Sequence, residues 1–287
     1  MASMRDIKRR RTSISSTQQI TKAMKLVATV KLQKAKSHAE SVTPYFERMY
    51  ATVCSMLAKT QNIDHPFLKV KKEGKKAVIV ITSNRGLAGG YNSNVVKLVT
   101  NDERFDKENT DLFCIGHKGI EALKHRGYHV RDDESDVMEA PVYSDAAHIT
   151  KTLLKRYADG EISEIYLCYT HFKNTVVYTP KCLKLLPVEI DPEEAKRQAE
   201  SNVLMNFEPN PEEAIGLIIP KYVTSLLYGA LIEAVASENG ARMQAMDSAT
   251  SNAEEMIDDL TLKYNRARQG SITQELTEII AGAEAIS

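Results

Sequence analysis

The chain has 287 residues with 38 basic and 38 acidic side chains, so it is formally neutral and long enough for one substantial core plus an extension. Its four cysteines, Cys54, Cys114, Cys168 and Cys182, lie far apart with no C-x-x-C pair and no histidine at ligand spacing beside them, which argues against a disulfide or zinc framework and predicts reduced, mostly buried thiols. No N-terminal stretch has the apolar core of a signal peptide, and strongly apolar runs such as residues 77–81 are too short for a bilayer, so a soluble protein in a reducing compartment is expected, with any membrane association arising through partners.

Residues 1–43 contain neither glycine nor proline, and Ile7, Ile14, Thr21, Ala28, Ala35, Val42, Met49 and Met56 stand seven apart. Such a series marks a coiled-coil seam, so residues 1–59 are predicted as one helix roughly 80 Å long at 1.5 Å per residue. The first 40 residues hold ten basic side chains against Asp6 and Glu40, a net of +8 that the rest of the chain offsets. Two readings of this arm stay open. A nucleic-acid-binding coiled coil would use it to neutralise phosphates, with steep salt dependence. A solvated, acid-facing helix surface is favoured, because the basic residues interleave with the heptad.

Residues 75–190 read as a separate α/β domain. The β-branched run at 77–81 is a buried strand, followed by a glycine-rich turn and a helix to about Val99. A second strand is predicted at 111–115, a helix through Leu123, a short strand near 128–130, a helix over 144–157, and two strands, 164–170 and 176–186, joined around Lys173-Asn174. The alternation implies a small Rossmann-like layered sheet, not a barrel. The turn after the first strand invites a phosphate reading, but Gly89-Gly90 are followed by Tyr91-Asn92 instead of Lys-Ser/Thr, and no G-x-G-x-x-G occurs. A small enzyme binding a phosphorylated ligand through residues 86–90 stays as a rival that predicts nucleotide binding by the isolated chain. His125 and His129 are four apart with Gly127 between them, and no catalytic triad or metal-ligand spacing emerges, so neither a catalytic centre nor a cofactor is expected.

Residues 211–287 form the third segment. No proline occurs after Pro220, and Tyr222, Gly229, Ala236, Met243, Thr250, Ile257 and Tyr264 recur every seven residues. A helix of roughly 100 Å is expected, and since a long helix gains most of its stability by packing an apolar face, the two terminal helices are paired as an antiparallel coiled coil flanking the central domain. Its seam is unusually small, with Ala28, Ala35, Ala236, Gly240 and Ala253, which implies close backbone approach.

Three blocks in the terminal helices are more specific than any central motif: Ser237-Glu-Asn-Gly-Ala-Arg-Met-Gln-Ala-Met246, Leu262-Lys-Tyr-Asn-Arg-Ala-Arg-Gln269 and Ile272-Thr-Gln-Glu-Leu-Thr-Glu-Ile-Ile-Ala-Gly-Ala283. With Ile20-Thr-Lys-Ala-Met24 and Arg85-Gly-Leu-Ala-Gly-Gly90, they resemble the gamma subunit of the rotary F-type ATP synthase, from Met4 to the C-terminus. The resemblance implies a non-catalytic central shaft that couples ion flow through a membrane c-ring to ATP synthesis or hydrolysis on catalytic β subunits. It implies partners in an α/β hexamer, an epsilon subunit and the c-ring, no nucleic acid, and a place on the cytoplasmic face of a bacterial plasma membrane, or on the matrix side of a mitochondrion for a processed organellar chain. Residue by residue, Met24, Glu238, Arg242, Arg268, Gln269 and Thr273 match β-subunit contacts. Ile279, Ile280, Ala281, Gly282 and Ala283 match an apolar bearing tip, and Phe207 and Glu208 match the loop that meets the c-ring. Two departures are visible. Asn84 stands where many relatives carry aspartate, and the redox-switch insertion of plant chloroplast members, with its two nearby cysteines, has no counterpart.

Overall fold

The fold is taken from a computed structural model, which describes residues 4–59, 65–69, 71, 73–175, 177–189 and 210–284. Phe207 and Glu208 lie outside the described residues. In order come α1 (Met4–Lys59), β1 (Lys75–Ile81), α2 (Tyr91–Thr100), β2 (Thr110–Ile115), α3 (His117–His125), β3 (His129–Asp133), a 3-10 turn (Ser135–Met138), α4 (Tyr143–Ala158), β4 (Ile162–Phe172), β5 (Tyr178–Leu186) and α5 (Pro211–Glu284). The chain divides into two compact units, Val30–Ala241 in one and Met1–Thr29 with Arg242–Ser287 in the other.

In the first unit, five strands form one sheet in the order β3-β2-β1-β4-β5. β1 pairs in parallel with β2 and β4, β2 in parallel with β3, and only the edge strand β5 is antiparallel. This is the expected Rossmann-like sheet, and the predicted strands and helices fall where the structure has them, to within about three residues. β1 is buried on both sides because its side chains alternate. Val78 and Val80 face α2 and α3 with Val95, Val99, Ile120 and Leu123, whereas Ala77, Ile79 and Ile81 face α4 and the long helices with Leu153, Tyr157, Val223 and Leu227.

The long helices meet antiparallel within this unit too. Phe46 lies against Gly229, where an added Cβ would sit 3.1 Å from its ring, and four residues on, the Tyr50 ring lies 6.4 Å from that of Tyr222. Rising positions on α1 therefore meet falling positions on α5. The small seam residues Ala35, Ala236 and Gly240 are buried there as expected.

One expectation needs correcting. α5 contains a stretch long and apolar enough, by length and composition, to cross a bilayer. The sequence reading missed it because alanine, glycine and serine break up the large apolar residues. Ile215, Ile219, Val223, Leu227 and Leu231 from that stretch are buried in the sheet's core, which accounts for its apolarity.

Candidate functional site

In an open sheet of this kind the ligand crevice lies at the carboxyl ends of the strands where the order reverses, between β1 and β4. The chain fills that crevice itself. The Tyr91 ring is buried beside Ala88 and Ala241, its hydroxyl donates to the Ala234 carbonyl at 3.2 Å, and the Ser237 hydroxyl donates to the Thr170 carbonyl at 3.2 Å. The residues flanking the glycine-rich turn are tied within the chain as well. The Ser83 amide donates to Asn92 Oδ1 at 2.9 Å, and Tyr91 N–H to the Ala88 carbonyl at 3.2 Å, so these amides are not aimed at a ligand. Leu87 stands in the left-handed region at φ 63° and leaves its side chain 62% exposed. Asn84 donates to the Ser135 carbonyl at 2.8 Å and accepts from the His117 amide at 3.1 Å. A carboxylate could only accept, so the asparagine is matched to this pair of hydrogen bonds, one donated and one accepted.

At the opposite end of the sheet Asp111 is fully buried and ringed by Lys75, Arg131 and Arg156, at 3.2, 3.2 and 3.1 Å. Burial opposes its charge, yet hydrogen bonds from Arg156 and Lys75 hold the carboxyl below its usual range. The Arg156 guanidinium also lies over the Phe113 ring at 5.4 Å. Arg131 and Arg156 line a shallow groove of about 540 Å³ with Lys151, Lys155 and Glu161. The arrangement is that of a structural ion cluster tying β1, β2, β3 and α4 together.

The second unit is a helix pair. Lys25 Nζ meets Asp247 at 2.5 Å, the Thr21 and Thr250 hydroxyls meet at 2.8 Å, and Arg11 lies over the Tyr264 ring at 5.6 Å. Thr21 and Ala28 on α1 and Met246, Ala253 and Leu260 on α5 are buried in the seam. Lys25 thus meets an acid on α5, as the acid-facing reading expects, whereas Arg11 meets an aromatic ring. Arg9 adds an ion pair to Asp6 at 3.6 Å and Lys36 one to Glu40 at 3.7 Å, both exposed and worth little.

With Arg11 opposite Tyr264, the described start of α1 comes level with about residue 270, and α5 runs on to Glu284. Residues 272–283 are all exposed, including Ile272, Leu276, Ile279 and Ile280 at 49, 54, 68 and 59%. Ile20, Leu26, Val27 and Leu262 add exposed apolar surface on the same helix pair. Of the residues singled out from sequence, Arg268, Gln269 and Thr273 are all exposed, Gln269 and Thr273 one turn apart on one face with the Thr273 hydroxyl donating to the Gln269 carbonyl at 2.9 Å. Ile279, Ile280, Ala281, Gly282 and Ala283 fall in the exposed end, Met24 is half-buried in α1, and Glu238 and Arg242 are half-buried one turn apart in α5. Leu26 and Val27 escaped the sequence reading, and Leu262 entered it only as the start of a family block. None of the three falls on the seven-residue series of the seam, so a seam-based reading passes over them.

A sheet whose crevice is filled by its own helix, together with a long antiparallel helix pair bearing exposed apolar residues, defines a stalk-type protein that docks to other chains. The family model for ATP synthase matches residues 3–286. An ATP synthase gamma chain from Lachnoclostridium phytofermentans is 62% identical over 292 residues, covering all of both chains. The central stalk and c-ring structure of the Tetrahymena thermophila mitochondrial ATP synthase contains a chain 25% identical, with a TM-score of 0.58, covering 80% of this chain and 99% of that one. A chain of the Euglena gracilis mitochondrial ATP synthase rotor shares the fold at 18% identity, with a TM-score of 0.68, covering 94% and 98%. This chain belongs to the ATP synthase gamma-chain family.

Proposed function

We propose that the chain is the central rotor shaft of an F-type ATP synthase, turning inside a hexamer of α and β subunits and coupling ion flow through a c-ring to ATP synthesis or hydrolysis. The observation that carries this reading is the end of α5, which runs past the start of its partner helix with Ile272, Leu276, Ile279 and Ile280 in solvent. An isolated protein gains nothing from such a surface, whereas a sleeve formed by other subunits would cover it. An uncharged tip also rotates without stripping water from fixed charges.

Catalysis on this reading belongs to the β subunits, and the shaft acts by contact. Two helices cannot match a threefold ring, so the shaft meets three β subunits differently at any instant and holds their sites in different nucleotide states. Turning it exchanges those states, a population shift driven by differential contacts. Met24, Glu238, Arg242, Arg268, Gln269 and Thr273 are the residues assigned to β, and 279–283 to the bearing. Phe207 and Glu208 are assigned to the c-ring, and residues 75–190 form the body that receives epsilon, between the shaft segments 1–59 and 211–287. The complex would hold the chain peripherally on the cytoplasmic face of a bacterial plasma membrane, or on the matrix side of a mitochondrion. The nucleic-acid alternative finds no support in the family or the relatives.

Reconstitution with cognate α and β subunits, with a rotation probe on an introduced cysteine, tests the reading. One-way turning in steps of about 120°, the angle a threefold ring imposes, is the expected result. Hydrolysis without turning would overturn it.

A further inference from the structure

The four cysteines look unrelated in sequence, but strand register brings two of them face to face. Cys168 on β4 and Cys182 on β5 are direct cross-strand partners, with their sulfurs 3.1 Å apart. Directly opposed residues of antiparallel strands have Cα atoms about 4.5 or 5.5 Å apart, and both spacings lie inside the range a disulfide spans. The bond can therefore close by side-chain rotation alone, the sulfurs approaching by about 1 Å. Cys54 and Cys114 are both buried, Cys54 on α1 and Cys114 on β2, where it stands opposite Val80.

The two thiols are not equivalent. Cys168 is fully buried, while Cys182, on the edge strand of the sheet, is only half-buried. Arg104, held by Asp102 at 2.6 Å and lying over the Tyr166 ring at 5.2 Å, brings a positive charge to the same patch. The hydrogen bond from Cys168, with Arg104 behind it, draws the Cys182 thiol below its usual range, opposing burial, and the shared bond and burial push Cys168 well above it.

We propose that Cys168 and Cys182 form a reversible dithiol–disulfide site that reacts with small disulfides, Cys182 being the attacking thiol and Cys168 the resolving one. The Cys182 thiolate attacks one sulfur of RS–SR, the S–S bond breaks, and RS⁻ leaves and takes up a proton. Cys168 then gives its proton to the medium and attacks Cys182 Sγ, forming the intrachain bond and expelling the second RS⁻, which leaves as RSH. One small disulfide is reduced to two thiols and two cysteine thiols are oxidised to one disulfide. The bond ties the edge strand to β4 just before the segment that grips α5, where His171 Nδ1 lies 2.6 Å from Glu233 and the Thr170 carbonyl accepts from Ser237. Oxidation thus stiffens that grip.

The test uses the assembled complex, equilibrated in glutathione buffers from fully reduced to fully oxidised, alkylated, digested and read by mass spectrometry. The expected result is a linked Cys168–Cys182 peptide that dithiothreitol releases, with Cys54 and Cys114 still alkylated, and amide exchange in β5 slowed by roughly tenfold. In the same buffers Cys168→Ser should trap glutathione on Cys182, while Cys182→Ser should leave Cys168 unmodified. Persistent alkylation of both thiols in the fully oxidised buffer, or glutathione on Cys182 of the unaltered chain without linkage, would overturn the site. Trapping on Cys168 instead would overturn the assignment of roles.

Discussion

The hydroxyls of Thr21 and Thr250 meet at 2.8 Å across the seam of the paired helices. Thr21 donates to the Gln18 carbonyl of its own helix at 3.0 Å, and the single Thr250 hydroxyl hydrogen is shared between Thr21 and the Met246 carbonyl at 2.7 Å. This polar layer sits in an otherwise apolar seam with Ala28, Met246, Ala253 and Leu260, where it fits only one register. Thr21→Val keeps the volume and leaves Thr250 its carbonyl, so it should cost about 1 kcal/mol or less. Thr21→Leu should cost more, about 2 kcal/mol, because the larger side chain forces the helices apart. Thermal unfolding of both variants measures the difference, and equal costs would contradict the close packing.

Met24 is half-buried in α1 and is assigned to the β contact. Met24→Lys adds a charge where a rotating contact must change partners, so the complex should assemble normally yet translocate fewer ions per ATP hydrolysed. Parallel assays of hydrolysis and ion uptake in vesicles give the ratio, and an unchanged ratio would remove Met24 from the coupling surface.

Asp111 is buried among Lys75, Arg131 and Arg156, and its carboxyl titrates below the usual range. Its contribution is present above the unfolded-state value of about 3.9 and is lost as pH falls through the lower folded value. The wild type should therefore lose stability on going from pH 5 to pH 3, whereas Asp111→Asn, already destabilised by about 3 kcal/mol at pH 7, should lose less. Urea titrations at the three pH values would show it.

Gly116 and Gly270 should respond oppositely to alanine. At Gly116, φ is +111° and a Cβ would sit 2.1 Å from the Thr82 carbonyl oxygen, so Gly116→Ala should cost about 3 kcal/mol or more. Gly270 lies within α5 with nothing inside 4 Å of an added Cβ, and Gly270→Ala should gain up to about 1 kcal/mol of helix propensity. Melting curves of the two variants should move in opposite directions.

Ile279 and Ile280 are 68 and 59% exposed. Replacing both with glutamate should leave the melting of the purified chain within about 0.5 kcal/mol of wild type, since surface changes touch little. In the assembled complex the same change should slow rotation, because two charges would enter an apolar sleeve. Unaltered rotation would place the bearing elsewhere.

Periodicity alone determined the two long helices, the alternation of strands and helices between them, and the small seam, because each rests on residues a few positions apart whose side chains must share a face. The sequence blocks at Ser237–Met246 and in residues 262–283 carried the family. Only the tertiary structure decided the strand order, and with it three features. The crevice between β1 and β4 is filled by Tyr91 and Ser237, which lie 146 positions apart in the chain. Asp111 collects cations from three other elements. Cys168 meets Cys182 because the hairpin register sets them opposite. Each depends on how separate elements are placed against one another, and local patterns of apolarity and charge constrain which face is buried without specifying what it is buried against.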